Sequence, residues 1–214
     1  LVVFTACLVK GTPAILPSDK KPKILCEIDR SYPDPIFLAD QPLDLDPAAV
    51  RRAEFGGTTK TVPTEVPAIA PAQAAAVVFS SGSTGRPEPT VRTWEWLVRC
   101  NDDYVRGLGL DRLPGSNIVA TVPSQHSYGL ETACMVPLRH QAAISSAHPL
   151  FPADIATALA AIPAPRVLVS TPYHLDVLMR SEVALPATDL VVSATAALSE
   201  DLATAVAARL GARV

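Results

Sequence analysis

Long apolar runs are missing from this sequence. Although 49% of its 214 residues are apolar, no stretch approaches the roughly 20 consecutive apolar residues that cross a bilayer, so no membrane span is expected. An excess of one charge is missing too. Eighteen Lys and Arg stand against 21 Asp and Glu, for a net charge of -3. With no basic stripe to follow a phosphate backbone, nucleic acid is not an expected partner. Aromatics are scarce at 5%. The four cysteines, Cys7, Cys26, Cys100 and Cys134, lie far apart without C-x-x-C spacing, which argues against a zinc site or a dense disulfide framework. They read as buried small hydrophobes in a reducing cytoplasm. The opening LVVFTACLVK has no basic segment ahead of it and no cleavage site behind it, which argues against a secretory leader. It reads as a buried helix, and the expected location is the cytoplasm.

What the sequence does have is punctuation. Its 21 prolines and 10 glycines cut the chain into alternating strand and helix candidates, the pattern of an α/β fold with mainly parallel sheets flanked by helices. TPAILP, AAAVVFSS, NIVATVP, QAAISSA, RVLVST and DLVVSAT read as strands. Helices are expected around 127–138, 152–161, 171–180 and 199–210, with Ser199 capping the last, and an amphipathic helix is expected in TWEWLVRCNDDYVRGLG. Lys20, Lys21 and Lys23 read as a solvated face. From Ser31 to Pro71 the chain is rich in Pro, Asp and Thr, and only PIFLA and the helix-like DPAAVRRAEF lie between breakers. The reading therefore divides the chain at residue 72. Residues 1–72 would be part of an N-terminal subdomain and a connector, and residues 73–214 an α/β subdomain.

Between the buried strand AAAVVF and the helix lies SSGSTGRPE, Ser80 to Glu88. Glycines let backbone N–H groups approach an anion, hydroxyls add donors, and a following helix N-terminus adds a positive dipole. The loop is not a Walker loop, because G-x-x-x-x-G-K-[ST] is absent, and Ser83 follows Gly82 too directly for a hydrolase elbow. A Gly/Ser turn is by itself often a plain flexible connection; the strand placed immediately before it favours the phosphate-binding reading.

The run FSSGSTGRPEP resembles the phosphate-binding signature [YF]-T-S-G-[ST]-T-G-x-P-K-G of the adenylate-forming superfamily, which includes acyl-CoA synthetases, luciferases and nonribosomal peptide adenylation domains. Phe79, Ser81, Gly82, Ser83, Thr84, Gly85 and Pro87 match it. Glu88 stands where the family usually has Lys, and Pro89 where it usually has Gly, so one attractive charge is exchanged for a repulsive one. Two further segments follow in the family's order. VPSQHSYG resembles P-x-x-H-x-x-G, with Pro123, His126 and Gly129 matching. SATAALSEDL resembles S-G-G-A-P-L-[ST]-x-x-L, with Ala194, Thr195 and Ala197 in place of Gly, Gly and Pro. A narrower likeness, carried by RTWEWL, PSQHSYGLE and PAPRVLVSTPYHL, is to the AMP-ligases of bacterial aryl-polyene and xanthomonadin pigment clusters.

The resemblance implies the large N-terminal domain of an enzyme that activates a carboxylic acid, aromatic in the narrower likeness, with ATP and Mg²⁺ and passes the acyl group to an acyl carrier protein or CoA. By the same resemblance Ser81, Gly82, Ser83, Thr84 and Gly85 would hold the phosphates, with Thr84 the one candidate to touch metal. His126 would border the reacting carboxylate, His126, Tyr128 and Gly129 the acyl pocket, and Thr195, Ala196 and Ala197 the adenine. The family's Y-G-x-T-E segment and its mobile C-terminal domain do not occur within the 214 residues, so the chain reads as the inactive N-terminal part of a longer protein. Two alternatives stay open here. One is a non-catalytic nucleotide- or carrier-binding domain, which Glu88 motivates. The other is a serine hydrolase using Ser83 and His126, which the spacing disfavours.

Overall fold

In the computed structural model the described residues are 1–17, 19–39, 50–52, 65–79 and 88–214. The elements run α1 (Val2–Lys10), β1 (Ala14–Leu16), α2 (Pro22–Ser31), β2 (Phe37–Ala39), β3 (Val50–Arg52), β4 (Ala74–Phe79), β5 (Pro89–Thr93), α3 (Trp94–Leu108) and β6 (Asn117–Ala120). A helical stretch follows as α4 (Ser127–Gly129), a π-helix (Leu130–Met135) and α5 (Val136–Arg139). Then come β7 (Ala143–Ile144), α6 (Pro152–Ala160), β8 (Arg166–Ser170), α7 (Pro172–Arg180), β9 (Leu190–Ser193) and α8 (Glu200–Leu210).

The largest described sheet is parallel throughout, in the order β7-β6-β8-β9. Its strands are apolar on both faces, as a sheet covered on both sides requires. Ile118, Ala120, Val167, Val169, Leu190 and Val192 pack toward Val105 of α3 and Val136 of α5. The alternate residues Val119, Leu168 and Val191 pack against Ile155 and Leu159 of α6, Leu175 and Leu178 of α7, and Val206 and Leu210 of α8. The crossover after β6 thus lies on one face and those after β7 and β8 on the other. This reversal of direction leaves a crevice outside the carboxyl ends of β6 and β8, where open α/β sheets take their ligands.

A second sheet, β1-β4-β5, pairs β4 parallel with β1 and antiparallel with β5. The β1–β4 pairing crosses residue 72, where the sequence reading divides the chain. Ala75, Ala76, Val77 and Val78 are all buried, as expected for β4. Gly11 after α1 and Gly109 after α3 cap their helices at φ 71° and 64°, in the left-handed region. Thr93, Thr171 and Ser199 cap α3, α7 and α8 through their hydroxyls. No helix among the described residues is long and apolar enough to cross a membrane.

Four expectations are corrected. The phosphate-loop segment does not lead straight into a helix: β5 intervenes, with Pro89 opposite Phe79. Five residues of strand, about 17 Å, lie between Glu88 and the start of α3, so α3 does not begin where the segment ends. PTVRT forms a strand because its β-branched residues suit a pleated surface. Second, the helix-like DPAAVRRAEF contains β3, because Val50–Arg52 pair parallel with β2; sheet pairing overrides local propensity there. Third, of the four cysteines only Cys134 is buried: Cys7 and Cys100 are half-buried, and Cys26 is exposed, because α2 buries Leu25 and Ile28 instead. Fourth, 127–138 is not one regular helix. The Thr132 hydroxyl donates to the Tyr128 carbonyl at 2.6 Å, and Pro137 has no N–H to offer the preceding turn. The π-helix Leu130–Met135, which contains Thr132 and ends before Pro137, accommodates both.

Candidate active site

Three carboxyl strand ends carry the candidate residues. After β6 the chain makes a tight turn in which the Pro123 carbonyl accepts the His126 N–H at 3.2 Å, and the His126 carbonyl accepts the Leu130 N–H at 2.8 Å. The P-x-x-H-x-x-G spacing then has a physical meaning. A Cβ on Gly129 would lie 2.0 Å from the Pro123 carbonyl oxygen, so only glycine lets the helix start against that turn. His126 is half-buried at its rim.

Tyr128 ties this segment to the neighbouring strand ends. Its hydroxyl shares its proton between the carbonyls of Ser170, at the end of β8, at 3.1 Å and Val192, in β9, at 3.0 Å. Burial pushes the Tyr128 hydroxyl above its ordinary pKa, so it stays a neutral donor. Thr195, Ala196 and Ala197 follow β9 as an exposed turn at this same edge. Ser193 Oγ beside them is buried without a hydrogen-bond partner among the described residues.

Thr195 has φ 80°. A β-branched residue in the left-handed region costs about 1–3 kcal/mol, which explains why the resembling signature carries glycine there. Replacing Thr195 with Gly should stabilise the chain by about 1 kcal/mol, because relief of that strain exceeds the extra chain entropy of about 0.4–1 kcal/mol that glycine loses on folding. Urea unfolding would register this as a higher midpoint; an unchanged or lower midpoint would mean that Thr195 is not strained.

The segment Ser81 to Gly85, including Thr84, lies outside the described residues. Glu88, which follows it, is exposed. Among the described residues no group of three or more His, Cys, Asp or Glu side chains could hold a metal ion. A cavity of about 530 Å³ opens near the ends of β6 and β7, lined among others by Ala120, Val122, Ser124, Cys134, Ser145 and His148, and not by His126, Tyr128 or Gly129.

The sequence reading missed a second cluster. Thr121 Oγ1 lies 3.0 Å from Ser170 Oγ and 3.2 Å from His174 Nδ1, and Thr171 Oγ1 lies 3.1 Å from that same nitrogen. Thr121 and Ser170 are buried. The cluster bridges the crevice between β6 and β8. The one visible signal was the Thr-Pro cap with His three residues after the Thr, in the first turn of a helix.

These features find counterparts in known proteins. A family model described as AMP-binding enzyme matches residues 4–214. A 4-coumarate–CoA ligase of Rhodobacter capsulatus is 32% identical over 100 residues, 47% of this chain and 25% of that protein. A malonyl-CoA ligase in a ternary product complex with methylmalonyl-CoA and AMP covers 100% of this chain and 47% of its own, with a TM-score of 0.72 and 22% identity. ATP-bound MatB from Rhodopseudomonas palustris covers 70% of this chain and 29% of its own, with a TM-score of 0.57 and 20% identity. The two structural likenesses are of fold, and the chain spans half or less of the length of each of these proteins. With the family model matching nearly its whole length, the chain belongs to the AMP-binding enzyme family.

Proposed function

We propose that the whole protein carrying this chain activates a carboxylic acid as its acyl-adenylate, and that this chain supplies most of the nucleotide and acid contacts. One observation carries the reading: Tyr128 joins the His126 segment to the ends of β8 and β9, so two segments that resemble substrate-binding motifs share the ligand edge of one parallel sheet. Membership of the AMP-binding family supports it.

On this reading the backbone and hydroxyls of Ser81, Gly82, Ser83, Thr84 and Gly85 hold the β and γ phosphates, while Thr195, Ala196 and Ala197 border the adenine. Mg²⁺ arrives with ATP as part of the substrate, and Thr84 is the one residue assigned to meet it. His126 borders the acid. A carboxylate oxygen forms a bond to the α-phosphorus as the bond from that phosphorus to the bridging oxygen breaks, and the electron pair leaves on pyrophosphate. The protein's part is positioning and charge compensation. The acyl group then passes to CoA or to an acyl carrier protein in the cytoplasm.

The acid is assigned as aromatic, as in the pigment-type AMP-ligases that the sequence resembles, with His126 beside it and Tyr128 and Gly129 supporting the His126 turn from behind. Pyrophosphate exchange by the whole protein should be about tenfold or more faster with hydroxybenzoates or cinnamates than with long fatty acids. The reverse preference would overturn the aromatic assignment. No exchange with any acid would favour the second reading, a nucleotide- or carrier-binding domain without chemistry, which Glu88 beside the phosphate segment motivates.

A further inference from the structure

The crevice between β6 and β8 is closed by the cluster around His174. Thr171 Oγ1 accepts the His174 backbone N–H at 3.3 Å. Its own proton has no other acceptor among the described hydrogen bonds than His174 Nδ1, 3.1 Å away. Placing it there assigns Nδ1 as an acceptor and the ring proton to Nε2. Thr121, one residue beyond β6 and five before His126, approaches the same Nδ1 at 3.2 Å and Ser170 Oγ at 3.0 Å. A single imidazole nitrogen thus gathers the strand end that leads to His126, the strand end that receives the Tyr128 hydroxyl, and the start of α7.

We propose that His174 is a positioning residue for acyl-adenylate formation, its unprotonated Nδ1 holding Thr121 and Thr171 together so that the His126 turn is fixed against the end of β8. The inference rests on the reading under Proposed function.

The ring's surroundings suit a neutral imidazole. Burial lowers the His174 pKa below the ordinary 6.5, and no charged side chain contributes to the shift. Tyr173 meets the ring edge-on at 5.8 Å. On α7 itself, Asp176 is paired with Arg180. Of the helices packed on α7, α6 brings Asp154, whose carboxylate takes the Phe151 N–H. From α8, Arg209 binds carbonyls at the far end of α7, and Glu200 and Asp201 lie in that helix's own first turn. Across the sheet edge, the Tyr128 hydroxyl is engaged with the Ser170 and Val192 carbonyls. Protonation would reverse the bond at Nδ1 and place an uncompensated cation at the positive end of α7. The sign is that of a depressed pKa: the ordered cluster is complete above the ordinary histidine value and is lost as pH falls through the lower, folded value.

The test uses pyrophosphate exchange by the whole protein across pH 5 to 8. His174→Asn keeps an acceptor oxygen near the Nδ1 position but does not titrate; His174→Leu removes the acceptor. The Leu variant should lose about tenfold to a hundredfold in kcat with a smaller change in KM for ATP, the cost of misplacing a reacting group. The Asn variant should restore kcat to within about threefold of wild type and abolish the acidic fall in rate that wild type shows. If Leu unfolds the protein, the pH profile of the Asn variant still decides. An acidic limb unchanged in His174→Asn, or a Leu variant with wild-type kcat, would overturn the inference while exchange by wild type leaves the adenylation reading standing. Absence of exchange in wild type would overturn both.

Discussion

Gly129→Ala should destabilise the chain by about 3 kcal/mol, at the upper end of what overpacking costs. The added methyl would meet backbone on every near side: the Pro123 carbonyl oxygen at 2.0 Å, the Pro123 carbonyl carbon at 2.7 Å and the Ser124 Cα at 2.9 Å. No rotamer change relieves such contacts, so α4 must lift from the turn or the turn must open. Opening the turn breaks the bond from His126 N–H to Pro123, and lifting α4 drags Tyr128 from the Ser170 and Val192 carbonyls. Gly107 in α3 is the internal control, since its Cβ would meet nothing within 4 Å. Gly107→Ala should instead add about 0.5–1 kcal/mol through helix propensity. Urea titrations of the two variants would show opposite shifts in midpoint; a Gly129→Ala midpoint at the wild-type value would mean that the turn yields freely.

That glycine also marks how far the sequence could be read. Its place in P-x-x-H-x-x-G identified a motif, but the reason for the spacing, a helix start seated on the carbonyl of Pro123, exists only once the turn has folded. The strands of the parallel sheet were legible because Val119, Leu168 and Val191 and their neighbours form short apolar runs bounded by breakers, and burial on both faces demands that composition. Helices α6, α7 and α8 were legible from period and caps, and Ser199 caps α8 as the sequence implied. The pairing of β3 with β2 was not legible, because Arg51 and Arg52 carry no strand signal outside their partner strand. The strand β5 was hidden because it opens on a proline and its side chains are exposed or half-buried, so no apolar run marks it. The cluster of Ser170, Thr171 and His174 with Thr121 was not legible as a unit, because Thr121 stands some 50 residues before the other three and only the parallel register of β6 with β8 brings it to them; the Thr-Pro cap before His174 was its one local sign.

The opposite end of α7 supplies the other large expected effect. Arg209 of α8 donates to the carbonyls of Leu178 at 2.9 Å, Met179 at 3.0 Å and Val183 at 2.7 Å. Leu178 and Met179 lie in the last turn of α7, where carbonyls have no intrahelical partner and a cation is favoured by the helix dipole. The Leu178 carbonyl has alternatives, since Ser181 offers it both its N–H and its hydroxyl. The Met179 and Val183 carbonyls then account for most of the loss in Arg209→Met. Each hydrogen bond from a charged donor contributes about 1.5–3 kcal/mol, and the half-exposed site admits some replacement water, so the expected cost is about 2–3 kcal/mol. Arg209→Lys should recover about half of it, because an ammonium can reach one or two of these oxygens but lacks the planar fork that spans all three. The unfolding midpoint of the Lys variant should accordingly fall between those of Met and wild type, with the denaturant slope unchanged in all three. If the Met variant unfolds at the wild-type midpoint, water satisfies these carbonyls as well as the guanidinium does, and the join between α7 and α8 rests on apolar packing around Leu175, Leu178, Val206 and Leu210.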